Sequence, residues 1–318
     1  MIRYLTELSL EAFTEAARNV PYQQIDSDLF PGIDLWVRRD DLIDPLISGN
    51  KAYKLIYNLL EAREQGKDTI VTCGGAWSNH IHASAVAGQR FGFKTIGIIR
   101  GERPPVLSAM LQDAERFGME LRFVSRSLYR QRDKPEFLMQ AGLADMDYWY
   151  IPEGGANLEG VKGVQMLAKV IRDTSPVAFH ECWLPCGTGL TLGALTCGSL
   201  RSVELRGVAV LKGEAAIQQA ATGWSQKSSK EFGSVQVLAG GHCGGYARVD
   251  QALIEFISSC QEQISVPLDW VYVAKAALKL KKSVDSRNKI PLQAQEQINV
   301  LLLHTGGLQG NRGRMVAF

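Results

Sequence analysis

The sequence predicts an α/β protein built on two open, twisted, mostly parallel sheets flanked by helices. Two observations carry this. Short apolar runs alternate with longer amphipathic stretches along nearly the whole chain, as they do in repeated β–α–β units. Glycine-rich turns follow several of the apolar runs, and the ligands of open α/β sheets bind at such turns.

In chain order, Thr69 to Thr72 reads as a buried strand ended by Gly74 and Gly75. Ser78 to Phe91, rich in small residues, reads as a helix. Thr95 to Ile99 is the next strand, Leu107 to Phe117 a helix, and Glu120 to Val124 a strand. The alternation resumes with a strand at Cys182 to Leu184, a glycine-rich turn, and a helix over Leu192 to Leu200. Arg206 to Leu211, Ala215 to Ser225 and Ser234 to Leu238 read as strand, helix and strand, and Thr222 to Gly233 looks loop-like. A last apolar strand, Ile298 to His304, runs into Thr305-Gly306-Gly307. The proline and glycines of Ile151 to Asn157 mark a crossing between lobes, and Asp44-Pro45 marks another. The expected division is residues 1–44 with 151–318 as the larger domain, and 45–150 as a smaller inserted α/β domain.

The 318 residues suffice for two modest domains with their own cores. A net charge of +2, with no Lys/Arg cluster, argues against nucleic acid as a partner. The longest apolar runs, such as Val271 to Ala277, are too short to span a bilayer, and Met1 to Pro21 lacks the basic start and apolar stretch of a secretory signal. Six cysteines without C-x-x-C or a dense framework read as reduced thiols in a cytoplasmic protein. No metal is expected: His80 and His82 lie two apart, and the Cys182/Cys186 pair has no second pair to match it.

Four separated segments carry the chemistry. Ser48-Gly49-Asn50-Lys51 places an amine at a helix start, with Ser48 or Asn50 available as the cap. A lysine near a helix N-terminus is electrostatically misplaced, which favours the neutral, nucleophilic amine. In Gly74-Gly75-Ala76-Trp77-Ser78-Asn79-His80, the Ser78 hydroxyl and Asn79 amide fall at a helix start, which suits a carboxylate. Gly187-Thr188-Gly189-Leu190-Thr191 follows a strand and opens a helix, so backbone N–H groups and two hydroxyls are available to a phosphate. It is neither a Walker loop nor a G-x-G-x-x-G fingerprint. The fourth segment is His304-Thr305-Gly306-Gly307. Taken singly, these are equally a solvated lysine, a capped helix and an ordinary glycine turn. An amine together with a phosphate cradle is what pyridoxal 5′-phosphate (PLP) needs.

In their order and spacing the segments resemble the D-cysteine desulfhydrase and 1-aminocyclopropane-1-carboxylate (ACC) deaminase family, PLP enzymes of fold type II, like the tryptophan synthase β-subunit. The likeness runs from about Arg38 to Gly307 and includes Gly244-Gly245-Tyr246 and Val271-Tyr272-Val273-Ala274-Lys275. It implies that Lys51 holds PLP as a Schiff base and exchanges the α-proton, with Lys54 as the local competitor. It also implies that Ser78 contacts the substrate carboxylate, that Asn79 lies beside the cofactor's 3′-oxygen, that Gly187, Thr188, Gly189, Leu190 and Thr191 grip the phosphate, and that Thr305 stands near the ring nitrogen. Tyr246 and Tyr272 match two active-site tyrosines, and Trp77 and His80 flank Ser78 as substrate-side residues. The implied reaction is loss of the α-proton and a β-thiol from D-cysteine, giving pyruvate, sulfide and ammonia, in a homodimer. ACC deamination to 2-oxobutyrate is the alternative, and a PLP-binding protein without turnover is another. Thr305 agrees with the desulfhydrase side of the family; Val273 matches neither side. Leu190 replaces a small residue, and Trp77 and His80 replace the polar residue and the Gln of many relatives.

Overall fold

A computed structural model describes residues 4–197, 199–200, 202–288 and 298–312. Helix α1 (Leu10–Arg18), capped by Ser9, precedes the antiparallel pair β1 (Tyr22–Ile25) and β2 (Ile33–Arg38). Helix α2 (Asn50–Glu64) leads to β3 (Thr69–Gly74), α3 (Asn79–Phe91), β4 (Lys94–Arg100), α4 (Ala109–Arg116) and β5 (Met119–Val124). Two short helices, α5 (Arg126–Tyr129) and α6 (Glu136–Leu138), precede β6 (Trp149–Ile151). Then come α7 (Leu158–Thr174), β7 (Glu181–Cys186), α8 (Leu190–Leu195), β8 (Glu204–Ala209), α9 (Glu214–Ser228) and β9 (Gln236–Leu238). Helices α10 (Gln251–Gln263) and α11 (Val273–Arg287) and strand β10 (Ile298–Leu303) complete the set.

Two sheets form, as expected. One has the order β5-β4-β3-β6 and is wholly parallel. The other has the order β1-β2-β10-β7-β8-β9 and is parallel except at β1. Both central strands β3 and β7 are buried along their whole length, as parallel strands covered on both faces must be. The last strand in sequence, β10, lies in the middle of its sheet between β2 and β7. It therefore delivers residues 304–307 beside the turns that follow β2 and β7. No helix among the described residues is long and apolar enough to cross a membrane.

Three local expectations need correction. Neither Ser48 nor Asn50 caps α2: the cap position is Gly49, the Ser48 hydroxyl donates to the Asp41 carbonyl, and the Asn50 amide donates to Thr191. The helix placed at Leu192 to Leu200 begins at Leu190 and ends at Leu195, because the Thr196 hydroxyl turns back to the Gly193 carbonyl and Cys197 forms a bridge with Phe232. Most of the loop-like stretch Thr222 to Gly233 is helix, since α9 runs on to Ser228. Its Ser225 hydroxyl donates to the Gly193 carbonyl, and Gly193 packs so closely that a Cβ there would lie 2.3 Å from the Ala221 carbonyl oxygen. All six cysteines are buried, and none forms a disulfide among the described residues.

Candidate active site

The C-terminal ends of the parallel strands face one cavity of about 790 Å³. From the larger sheet, the turn after β2 leads to Asn50 and Lys51, the turn after β7 brings Gly187 to Thr191, β10 brings Thr305, and the segment after β9 brings Tyr246. From the smaller sheet, the turn after β3 brings Gly75, Ser78, Asn79 and His80. Tyr272 reaches the cavity from the start of α11.

Close backbone approach locks these segments together. Gly49 has φ +66° and ψ −150°, a region open essentially to glycine alone, and a Cβ there would lie 1.9 Å from the Thr305 carbonyl oxygen. A Cβ on Gly307 would lie 2.2 Å from the Asn79 side-chain nitrogen. The His304 ring fixes the last turn from below. Its Nε2 faces the Pro267 carbonyl at 2.7 Å, so that nitrogen carries the proton, and its Nδ1 accepts from the Gly306 N–H at 3.3 Å.

The Lys51 ammonium donates to Asn50 Oδ1 at 2.9 Å, and the Asn50 amide donates to Thr191 Oγ1 at 3.0 Å. Amine and glycine loop are thus tied through one amide. Burial lowers Lys51 from its ordinary value to about 8, with the Asp269 carboxylate opposing. Lys54, one turn on, is fully buried and donates to the Gly154 carbonyl at 3.0 Å. Burial, then the Lys51 charge, push it well below the ordinary lysine range. His80 is buried and likewise pushed down, by burial first and then by both lysines, so it is neutral at pH 7. One of its nitrogens meets the Thr72 hydroxyl at 2.9 Å; the other, Nδ1, has no partner among the described residues.

Ser78 caps α3, its hydroxyl accepting from the Ile81 N–H at 3.3 Å. The Tyr246 hydroxyl accepts from the Trp77 N–H at 3.1 Å, and the Tyr272 phenol lines the same cavity close enough to interact with it. Burial holds both phenols above their ordinary values. Two buried side chains set this wall. The Asp269 carboxylate accepts from the N–H groups of Val271, Tyr272 and Val273, at 2.7 to 3.0 Å, and so anchors the start of α11. The Lys275 ammonium donates to the carbonyls of His242 and Gly245, both at 2.9 Å, clamping the loop that carries Tyr246. That loop holds the two non-glycine residues with positive φ among the described residues, Cys243 (45°) and Ala247 (53°).

The family model described as pyridoxal-phosphate dependent enzyme matches residues 14–258. The chain belongs to the pyridoxal-phosphate dependent enzyme family. It is 30% identical, over 88% of its length and 90% of the relative's, to a putative ACC deaminase of Thermotoga maritima. It is 26% identical, over 88% of its length and 73% of the relative's, to a bifunctional D-cysteine desulfhydrase/ACC deaminase, mitochondrial, of Arabidopsis thaliana. A crystal structure of an ACC deaminase homologue superposes with a TM-score of 0.77 at 24% identity, covering 92% of this chain and 90% of that one, which shows the shared fold.

The residues present fit PLP. Lys51 and Lys54 face the cavity with neutral hydrogen-bond acceptors, an amide oxygen and a carbonyl, and neither pairs with a carboxylate among the described residues. Helix α8 has no side-chain cap, so its first-turn N–H groups stay open beside Thr188 and Thr191. A Cβ on Gly189 would lie 2.6 Å from the Ala221 nitrogen, so the loop can be shaped this way only with glycine there.

The structure brings together Lys51, Ser78, Asn79, His80, Gly187, Thr188, Gly189, Thr191, Tyr246, Tyr272 and Thr305 on one cavity. Two predicted residues are not on its wall. The Leu190 side chain is fully buried in the core shared with α7 and α9, so this position offers the cavity backbone alone. Trp77 meets the site through its N–H to Tyr246, and its ring does not line the cavity. Val273 is also absent from the wall; it is buried in the apolar cluster that α10 and α11 form with the larger sheet. The replacement at that position therefore changes the core rather than a group facing the ligand. Sequence reasoning missed Asp269, the burial of Lys54, and the bridge from Lys51 to Thr191 made by Asn50, which it offered only as a cap. Asn50, adjacent to Lys51 in a helix's first turn, was the one with a visible signal.

Proposed function

We propose that this enzyme catalyses β-elimination from a small amino acid of the D-cysteine type, with Lys51 as the cofactor-bearing lysine and proton carrier. The observation that carries the reading is that one lowered amine, two phenols and the Ser78 hydroxyl of the β3–α3 turn line one cavity. The Arabidopsis relative's name, which includes D-cysteine desulfhydrase, supports it.

Bound PLP supplies an electron sink for the pair left on Cα. Thr188, Thr191, Lys54 and the first turn of α8 would hold its phosphate, Asn79 and Thr305 its ring. The Ser78 hydroxyl and the start of α3 bind the substrate's α-carboxylate. Lys51, lowered to about 8 and steered by Asn50, takes the α-proton on Nζ. Tyr246 accepts from Trp77 at its oxygen, which leaves its own proton free to give to the departing sulfur, directly or from Tyr272. Both phenols stay protonated at neutral pH because burial raises them. The balance is D-cysteine plus water to pyruvate, hydrogen sulfide and ammonia.

The test is product analysis with D-cysteine, L-cysteine and ACC. Pyruvate and sulfide in equal amounts from D-cysteine support the proposal. Steady formation of 2-oxobutyrate from ACC with D-cysteine inert would replace it by ACC deamination, and a coloured holoenzyme inert to all three would sink the elimination reading.

A further inference from the structure

We propose that the preferred substrate carries a second anionic group on its side chain, a carboxylate, sulfonate or phosphate, and that Arg100 reads it with Lys212 and Arg248. The inference rests on the reading above that the cavity takes an amino acid, and it names the class of that amino acid.

The argument begins with where these cations sit. Arg100 is the last residue of β4, the neighbour of β3, so it emerges beside the Gly75 to His80 turn. Its guanidinium carbon lies 5.5 Å from the centre of the Tyr246 ring. Tyr246 in turn closes on Gly75, where a Cβ would lie 3.1 Å from the phenol oxygen. Lys212 follows β8 and runs its stem past Gly245, where a Cβ would lie 3.6 Å from Lys212 Cε. Arg248 packs beside Gly244, where a Cβ would lie 3.2 Å from Arg248 Cβ. Three cations thus surround the loop that carries Tyr246, and all three line the cavity.

Next is what they lack. Among the described residues, none of the three forms an ion pair or a side-chain hydrogen bond, and all three are exposed. The wall's third arginine shows the contrast: Arg132 meets Glu153 at 2.7 Å, and Glu153 also accepts from the Tyr129 hydroxyl at 2.8 Å. Asp133 is the remaining carboxylate on the wall. Like charges gathered at a cleft repel one another and create a field that draws in an anion. A planar guanidinium with all its N–H groups free is shaped for two-point contact with a carboxylate, sulfonate or phosphate.

The α-carboxylate does not account for this charge, since Ser78 and the start of α3 stand ready for it. The cofactor phosphate has its own cluster: Lys54 on the Gly154 carbonyl, and Thr188, whose methyl would lie 2.9 Å from a Cβ at Gly154. D-cysteine is then the simplest amino acid the site eliminates, and one with a charged β-substituent is the one it selects.

The experiment is spectral titration of the holoenzyme with aspartate and alanine, both enantiomers of each, in wild type, R100Q and K212Q. Neither ligand has a leaving group, so binding alone is read. Aspartate is expected to bind at least tenfold more tightly than the matching alanine. R100Q should reduce that ratio at least tenfold and K212Q severalfold, with PLP affinity unchanged within twofold. The proposal is overturned if alanine binds as tightly as aspartate, if R100Q and K212Q weaken both ligands alike, or if they weaken PLP instead. Turnover of β-chloroalanine is measured alongside. An enzyme that selects aspartate as described but leaves β-chloroalanine intact retains this inference and loses the β-elimination reading.

Discussion

Lys51 should behave as an amine of pKa about 8 rather than the ordinary 10.5, because burial penalises its charge more than the Asp269 carboxylate restores it. The difference of 2.5 units fixes the magnitude. At pH 7 about a tenth of the chains carry a neutral Lys51, against about 3 in 10,000 for an exposed lysine, roughly a 300-fold gain in nucleophile. The assay is the rate at which apoenzyme takes up PLP, followed by the visible band of the imine, across about pH 6 to pH 10. The rate should rise with pH and level off around 8. In D269N the levelling should come at lower pH, because the charge that favours the protonated amine is gone. Circular dichroism would confirm that α11 survives the loss of an acceptor oxygen. The same shift carries a stability consequence. Between 8 and 10.5 the unfolded chain holds a proton on this lysine that the folded apoenzyme has released. Stability of the apoenzyme therefore rises with pH across that window, the charged lysine being a burden on the fold below it. A rate still climbing at pH 10, or a D269N midpoint that moves upward, would refute the reasoning.

Three substitutions test the arrangement. Gly49→Ala puts a Cβ 1.9 Å from the Thr305 carbonyl oxygen at a φ of +66°, so it should cost about 3 kcal/mol or more of stability and weaken PLP retention at least tenfold; melting and cofactor titration that match wild type would contradict the packing. Lys275→Met strips the donor from one buried and one half-buried carbonyl and releases the strained loop at 243–247. It should destabilise by about 2 kcal/mol or more in denaturant titration and lower kcat through Tyr246, with Lys275→Arg restoring part of both. Tyr246→Phe removes the phenol oxygen that meets Trp77 and Tyr272, and kcat should fall about 10²-fold or more while PLP still binds; unchanged turnover would move the acid role to Tyr272.

The groups of the site are legible in the sequence because each has a local signature. A glycine turn after an apolar run, a serine before a helix and a lysine after Ser-Gly-Asn are all short-range patterns, and β3, α3, β4, β5, β7 and β8 fall where the alternation puts them. What local patterns do not carry is which strands are neighbours. Sequential strands usually lie side by side, yet β10 inserts between β2 and β7, and on that insertion depends the meeting of Gly49 with Thr305. The interactions that sequence reasoning passed over act across such distances: Asn50 on Thr191, Asp269 through space on Lys51, and Lys54 on Gly154. The misplaced ones err in the converse way. Leu190 lies inside a legible phosphate loop, but a loop of that kind works through backbone N–H groups, and its side chain is free to serve the core. The same division explains why the substrate is harder to read than the cofactor. The cofactor is recognised by backbone geometry and one amine, which short motifs encode. The side chains proposed to read the amino acid, Arg100, Lys212 and Tyr246, are drawn from segments after three different strands, and only the fold shows that they share a wall.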